Sequence, residues 1–192
     1  MLHAVNGAVR YYLLRLAVFF CGCLASLPGA TLERLSLDDL IAKSTAIVRG
    51  TVGDSWAAYT GSIIYTHYKI QVSETLKGSN QQPVEIVVTG GTVRGIRQNF
   101  SGSPVLNRGD QFLFFLWTSK AGLTQIMGLT QGLFALPQDG SADPVATRPP
   151  SRELMLDPAT ARPVKDAALS MPLSDLRARV AKTLGTSKGG GE

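Results

Sequence analysis

Ile63-Ile64-Tyr65-Thr66-His67-Tyr68-Lys69-Ile70-Gln71-Val72-Ser73-Glu74 decides the fold class. Ile64, Thr66, Tyr68, Ile70 and Val72 share one side of an extended chain, and Tyr65, His67, Lys69, Gln71 and Ser73 share the other. Alternation of period two with one apolar side predicts a strand with one buried face and one wet face. Lys77-Gly78-Ser79-Asn80 is turn chemistry, and Val84 to Thr89 then pairs back as the next strand. Upstream, Ala46-Ile47-Val48-Arg49-Gly50-Thr51-Val52 predicts another strand, with Gly50 a candidate bulge.

Beyond Gly90-Gly91 a polar, glycine-bearing stretch runs to Gly109, and its length predicts a long hairpin loop or a partly ordered flap. Gln111 to Trp117 is apolar on both sides (Phe112, Phe114, Leu116; Leu113, Phe115, Trp117), as a central strand requires. A further strand pair falls across Leu123 to Met127 and Gly132 to Leu136. Five main strands separated by turn signals predict a mainly β domain, a small barrel or sandwich.

Short helices flank these strands. Ser36 with Asp39 has capping-box spacing, and Leu37, Leu40 and Ile41 form one face of about two helical turns. Leu173, Leu176, Val180 and Leu184 form a second helical stripe, with Ser174 as its candidate cap. Between them, Asp157-Pro158-Ala159-Thr160 predicts a turn joining two short extended arms.

Hydrophobic residues make up 44% and charged residues 17% of the 192, a globular composition of a length that fits one domain and a targeting segment. Arg10 and Arg15 flank an apolar core from Leu16 to Leu27, small residues follow at Gly29 and Ala30, and no acidic residue precedes Glu33. A signal peptidase reads that order, and the core is shorter than the roughly twenty residues that span a bilayer. Residues 1–30 are therefore read as a signal peptide cut after Ala30 or Ala25, the alternative being an uncleaved N-terminal anchor. A lipoprotein signal at Cys23 lacks the branched aliphatic residue where Phe20 stands. Residues 31–184 are expected to form a single domain, and 185–192 a disordered tail.

Cys21 and Cys23 both fall in the leader, so the mature chain is excluded from being a disulfide scaffold, a thiol enzyme or a Cys-ligated zinc protein. A cysteine-free exported chain fits a bacterial protein of the periplasm or the extracellular space, with no membrane contact once the leader is gone. Losing Arg10 and Arg15 leaves 17 basic residues (19 less 2) against 14 acidic, and the basic residues are scattered. That distribution is not the electrostatic footprint of a nucleic-acid binder.

Ala46 to Val52, Val72-Ser73-Glu74-Thr75-Leu76-Lys77-Gly78 and Arg108-Gly109-Asp110-Gln111-Phe112-Leu113-Phe114-Phe115 occur in that order. The series resembles the netrin-like and tissue-inhibitor-of-metalloproteinase-like OB-fold modules, and more closely a set of uncharacterised bacterial secreted proteins. Those bacterial chains share the Gly90-Gly91 loop and the segment Gly128-Leu129-Thr130-Gln131-Gly132-Leu133-Phe134. The likeness covers residues 45–136 and implies a five-stranded OB-like Greek-key barrel with short N- and C-terminal helices packed on it. It does not imply the inhibitor mechanism, because the N-terminal cysteine that chelates the protease zinc in the animal inhibitors has no counterpart here.

His67 is the one histidine beyond the leader, and a Ser-His-Asp mechanism would have to use it. Alternation places it on the wet face beside Tyr65 and Lys69, as a surface histidine. Arg108-Gly109-Asp110 spells an adhesion tripeptide, but Asn107 to Asp110 is turn chemistry entering a buried strand. Asn99-Phe100-Ser101 is an N-glycosylation sequon, of consequence only in a eukaryotic secretory route. Asp139-Gly140-Ser141-Ala142-Asp143 lacks the ligand pattern of a calcium loop and reads as a turn. The segment Gly90 to Gly109, with Arg94, Arg97 and Phe100, is the leading candidate for binding a protein or glycan partner; Tyr65, His67 and Lys69 form the second. No catalytic residue, metal ligand or cofactor motif is assigned. The expected function is a non-enzymatic exported binding module for a protein or polymer partner. A protease inhibitor or regulator is the alternative by resemblance, and a hydrolase of unrecognised type is the third.

Overall fold

A computed structural model describes residues 30–79 and 83–188. The expected leader up to Gly29, with both cysteines, and the last four residues of the expected tail lie outside the described residues.

The alternating segment is the middle of a long hairpin. Strand β2 (Ala46–Thr60) and strand β3 (Ile63–Lys77) pair antiparallel from Ile47↔Lys77 to Thr60↔Ile63. Gly61, at φ 62°, begins the two-residue turn between them. The predicted strand ended at Val52. Instead a register shift between Val52 and Ser55 carries β2 across Gly53 and Asp54 as a bulge. The bulge predicted at Gly50 falls on the facing strand instead: between Arg49↔Glu74 and Gly50↔Val72 the extra residue is Ser73 of β3. Gly50 serves close approach, and a Cβ there would lie 2.6 Å from Ile70 Cγ2 and 2.8 Å from the Gln71 carbonyl.

The protein is mainly β. Its other strands are β1 (Thr31–Glu33), β4 (Val84–Thr89), β5 (Gly91–Val93), β6 (Ile96–Gln98) and β7 (Gln111–Thr118). They continue with β8 (Thr124–Ile126), β9 (Leu133–Ala135), β10 (Val145–Arg148), β11 (Leu154–Leu156), β12 (Pro163–Val164) and β13 (Leu169–Pro172). The large sheet runs β13-β10-β9-β7-β2-β3-β4, with β8 on β7, and this hydrogen-bonded path is open at its two ends.

Strand β7 is central, as its two apolar sides predict. Leu113 and Phe115 face one core with Ile47, and Phe114 and Leu116 face the other with Val48, Ile70 and Ile86. Trp117 departs from the pattern and is exposed at the strand's end. The first core is roofed by helix α1 (Leu37–Lys43) and helix α2 (Leu173–Lys188), through Leu40, Ile41, Leu173, Leu176 and Val180.

Helix α1 carries the predicted capping box: Ser36 Oγ accepts from the Asp39 N–H, and the Asp39 carboxylate accepts from the Ser36 N–H, each at 3.1 Å. Lys77 closes its other end, donating to the carbonyls of Ile41 at 2.7 Å and Ala42 at 2.9 Å. Helix α2 differs from expectation at both ends. Its free N–H groups are met by Asp143, which accepts from the Ser174 N–H at 2.8 Å, so Ser174 is capped rather than capping. It also continues through Gly185 to Lys188, so the first four residues of the expected tail are helical. Arg179 clasps Asp38 with two hydrogen bonds and joins the two helices.

The arms around Asp157 to Thr160 are β11 and β12, and β1 lies parallel to β11. Gln131, 1% exposed, ties this end to the main sheet. Its Oε1 accepts from the Leu35 N–H at 2.8 Å and its Nε2 donates to the Glu33 carbonyl at 3.0 Å.

Candidate functional site

The ladder between β2 and β7 stops at Thr51, whereas β2 and β3 stay paired out to Thr60. Among the described residues the distal part of β2 therefore has β3 on one side and an open main-chain edge on the other. From Ser55 to Thr60 that edge reads Ser-Trp-Ala-Ala-Tyr-Thr, without a charge or a proline. Natural edge strands are ordinarily blunted by such residues.

In the segment Gly90 to Gly109, expected to be a long hairpin loop or a flap, residues 91–98 form a second hairpin and residues 99–109 carry no strand. Strands β5 and β6 pair from Gly91↔Gln98 to Val93↔Ile96. Arg94 at φ 50° and Gly95 at φ 80° make the two-residue turn that suits strand twist. Gly91 lets this hairpin lie flat on the first: a Cβ there would come within 2.7 Å of Thr66 Oγ1. Gln98 does the work of an extra peptide at the β3 tip, accepting from the Ile64 N–H at 2.7 Å and donating to the Ser62 carbonyl at 2.9 Å.

Between the β5–β6 hairpin, β3 and residues 99–105 lies a cleft of about 330 Å³. Thr66 and Tyr68 reach it from β3, Arg97 from β6, and Phe100, Ser103 and Val105 from the following segment. Burial pushes the Tyr68 hydroxyl above its usual pKa of 10.0, a shift partly offset by a hydrogen bond with the Leu106 backbone. Ser103 and Thr89 share a hydroxyl–hydroxyl bond of 2.7 Å, and Arg97 Nε donates to Asn99 Oδ1 at 3.1 Å. No lining residue is acidic, and among the described residues no carboxylate forms an ion pair with Arg97.

The two predicted site clusters fall on different surfaces. Arg97 and Phe100 line the cleft; Arg94 sits at the hairpin turn, outside it. Tyr65, His67 and Lys69 point away from the cleft, on the opposite face of β3 from Thr66 and Tyr68. There His67 is not the solvated side chain that alternation predicts. Trp56, from the unforeseen extension of β2, stacks on its ring at 5.0 Å and 12°, leaving the side chain 14% exposed. His67 Nδ1 is 2.8 Å from Glu85 Oε1, Nε2 is buried with no partner among the described residues, and Lys69 Nζ stands 5.7 Å from the Trp56 ring centre. Among the described residues no hydroxyl nucleophile is hydrogen-bonded to this imidazole, which is held between a carboxylate and an indole.

Sequence reading overlooked Trp56 and Tyr59 because the bulge at Gly53-Asp54 looks like the end of a strand. The β-favouring Trp56, Tyr59 and Thr60 were the available signal. The Arg-Gly-Asp tripeptide is a turn: Gly109 donates to the Val52 carbonyl at 2.8 Å, Asn107 N–H donates to Asp110, and Arg108 pairs with Asp54 at 2.9 Å. Among the described residues no cluster of three His, Cys, Asp or Glu side chains is placed to hold a metal ion, and no helix is long and apolar enough to cross a membrane.

Large apolar side chains are exposed around this end of the molecule. Trp56 and Tyr59 stand on β2, Ile96 (57% exposed) on β6, and Phe100 and Val105 (81% exposed) beside the cleft. No family model, curated protein or solved structure matches the chain.

Proposed function

We propose that the protein is an exported, non-enzymatic binding module that engages a protein or polymer partner, in the periplasm or outside the cell, through the distal end of the β2–β3 hairpin. The observation that carries this reading is the uncharged open edge Ser55–Thr60, set among exposed Trp56, Tyr59 and Ile96. An edge with free main-chain groups favours a polypeptide partner, because an extended segment adds to it by backbone hydrogen bonds. The charge-then-apolar-then-small order of residues 10–30 supports export. Two features support the finer OB-like reading of the fold. The order β7-β2-β3-β4 returns the fourth strand beside the first, as in a Greek key. In addition β4 and β8 curl towards each other, so that Val87, Val88, Gln125 and Ile126 line one small cavity.

The test is a crosslinked pull-down with the purified protein as bait against envelope and secreted fractions of the source cells. One dominant protein partner, lost with Ala58→Lys or Ile96→Asp, is the expected result. A protease as that partner would favour the inhibitor reading. Capture untouched by both substitutions would place the interface elsewhere, and a hydrolytic turnover abolished by His67→Ala would overturn the non-enzymatic reading.

A further inference from the structure

The cleft under the β5–β6 hairpin has a chemistry of its own, distinct from the open edge. Its polar groups are nearly all neutral and bifunctional: the hydroxyls of Thr66, Tyr68, Thr89, Thr92 and Ser103, and the amide of Asn99. Hydroxyls donate and accept at once, so this lining suits a ligand whose own groups do the same. Several of these groups are already committed in ways that leave one valence open. Thr66 donates to the Gly90 carbonyl at 2.7 Å and so presents its oxygen as an acceptor. The Thr89–Ser103 pair uses one of its two protons internally, and Asn99 accepts from Arg97 with its oxygen, leaving its NH2 to donate.

Two further side chains narrow the class. Phe100 puts a partly exposed ring on the rim, a surface for the C–H face of a small ring. Arg97 supplies the one full charge of the lining, and its Nη groups face no carboxylate among the described residues. A guanidinium with free N–H groups matches a carboxylate in geometry as well as in charge. A volume of about 330 Å³ holds one such ring with its substituents and is at the small end of the range for ligand sites.

We infer that this cleft binds one unit of an acidic sugar of the uronate class, its carboxylate on Arg97, its ring on Phe100 and its hydroxyls on the Tyr68, Ser103 and Asn99 groups. The inference goes beyond the partner surface proposed above, and neither stands on the other.

The probes are sodium glucuronate, glucose as its neutral counterpart, and N-acetylphenylalanine as an apolar carboxylate without hydroxyls. Each is titrated into the protein purified after expression of the full chain, and amide NMR shifts and heat are read. Glucuronate should saturate with a millimolar Kd and shift residues 66, 68, 97–100 and 103, with glucose about tenfold weaker. Arg97→Gln should weaken glucuronate about tenfold and leave glucose unchanged, because it removes the charge-assisted bonds alone. Phe100→Ala should weaken both sugars. Three outcomes would each overturn the inference: no saturable shift at about 20 mM glucuronate, equal affinity after Arg97→Gln, or N-acetylphenylalanine binding in preference to both sugars. Partner capture through the open edge is read separately in the pull-down, with Arg97→Gln bait as the control. Loss of sugar binding with capture intact, or the reverse, therefore tells the two proposals apart.

Discussion

The two halves of the β2–β3 hairpin live in different environments. The half nearest the helices, Ala46–Val52 against Ile70–Lys77, is flanked by β7, and its side chains feed two cores, Ile47 below the helices and Val48, Val52, Ile70 and Val72 on the other side. The distal half, Ser55–Thr60 against Ile63–Tyr68, has lost β7 beside β2 and gained β4 beside β3, with the β5–β6 hairpin laid on one face. What separates them is which strand is flanked on both sides: β2 between β3 and β7 in the proximal half, β3 between β2 and β4 in the distal half. The proximal part of β2 thus secures the fold while its distal part is left with surface to offer.

The largest effects should therefore come from the core that the proximal half shares with β7 and the helices, and from the residues that tie its surroundings together. Phe115 is fully buried, ring against ring with Phe134 at 5.5 Å, beneath both helices. Phe115→Ala should lose about 3–5 kcal/mol by transfer and cavity terms together, read from urea unfolding. Next is Gln131→Ala, which leaves the Leu35 N–H and the Glu33 carbonyl unmet and should lose about 1–3 kcal/mol. If Phe115→Ala proved as mild as a surface change, the core that takes up Ile47 would not be what makes the proximal half structural.

How far the sequence foretold this division depends on the range of the interactions involved. Strand β3, the two-sided β7, the Ser36–Asp39 capping box, the α2 stripe and the Asp157 turn were legible because each is written in residues no more than a few positions apart. Gln131 was not, since a lone polar residue between glycines looks like part of a turn, and only contact with residues nearly a hundred positions away buries it. Asp143 likewise reads as a turn residue until α2 folds back onto it. At the candidate site Arg97 and Phe100 were found because long segments between confident strands tend to carry function, but the cleft was not. It depends on Gly91 and Gln98 docking one hairpin onto another. His67 was placed on the right face of β3 but without its cover, for the same reason: the residue that covers it, Trp56, lies beyond a bulge that breaks the pattern.

Acid should act on the proximal half through its helices, and more mildly than the core substitutions, because the groups concerned are near the surface. A hydrogen bond from Arg179 holds the Asp38 carboxyl below its ordinary value of 3.8, and one from Ser36 does the same for Asp39. At the start of α2, Ser174 lowers Asp143 likewise. A carboxylate whose folded pKa is depressed contributes stability above its unfolded value and loses it as pH falls through the folded one. Thermal stability should hold down to about pH 4 and decline below it. Asp38→Asn should start lower at neutral pH and decline less. Hydrogen exchange should show the α1–α2 contacts loosening first, with the β5–β6 hairpin unaffected; a decline beginning in that hairpin would mean that acid acts elsewhere.

The smallest effect on stability belongs to the distal half, and there the comparison is sharpest. Ile96 is 57% exposed and Ala58 lies on a strand whose outer edge has no ladder partner. Neither Ile96→Ser nor Ala58→Lys removes a core contact, so each should change unfolding free energy by about 0.5 kcal/mol or less. A lysine on an open edge is nevertheless the device by which natural sheets refuse a further strand. Ala58→Lys should therefore leave the thermal midpoint almost where it was while abolishing partner capture. A fall in stability comparable with that of Gln131→Ala would mean that residues 55–60 are packed as tightly as the proximal half. An unchanged midpoint with unchanged capture would show that the edge is bare without being an interface, leaving the cleft as the distal feature with something to bind.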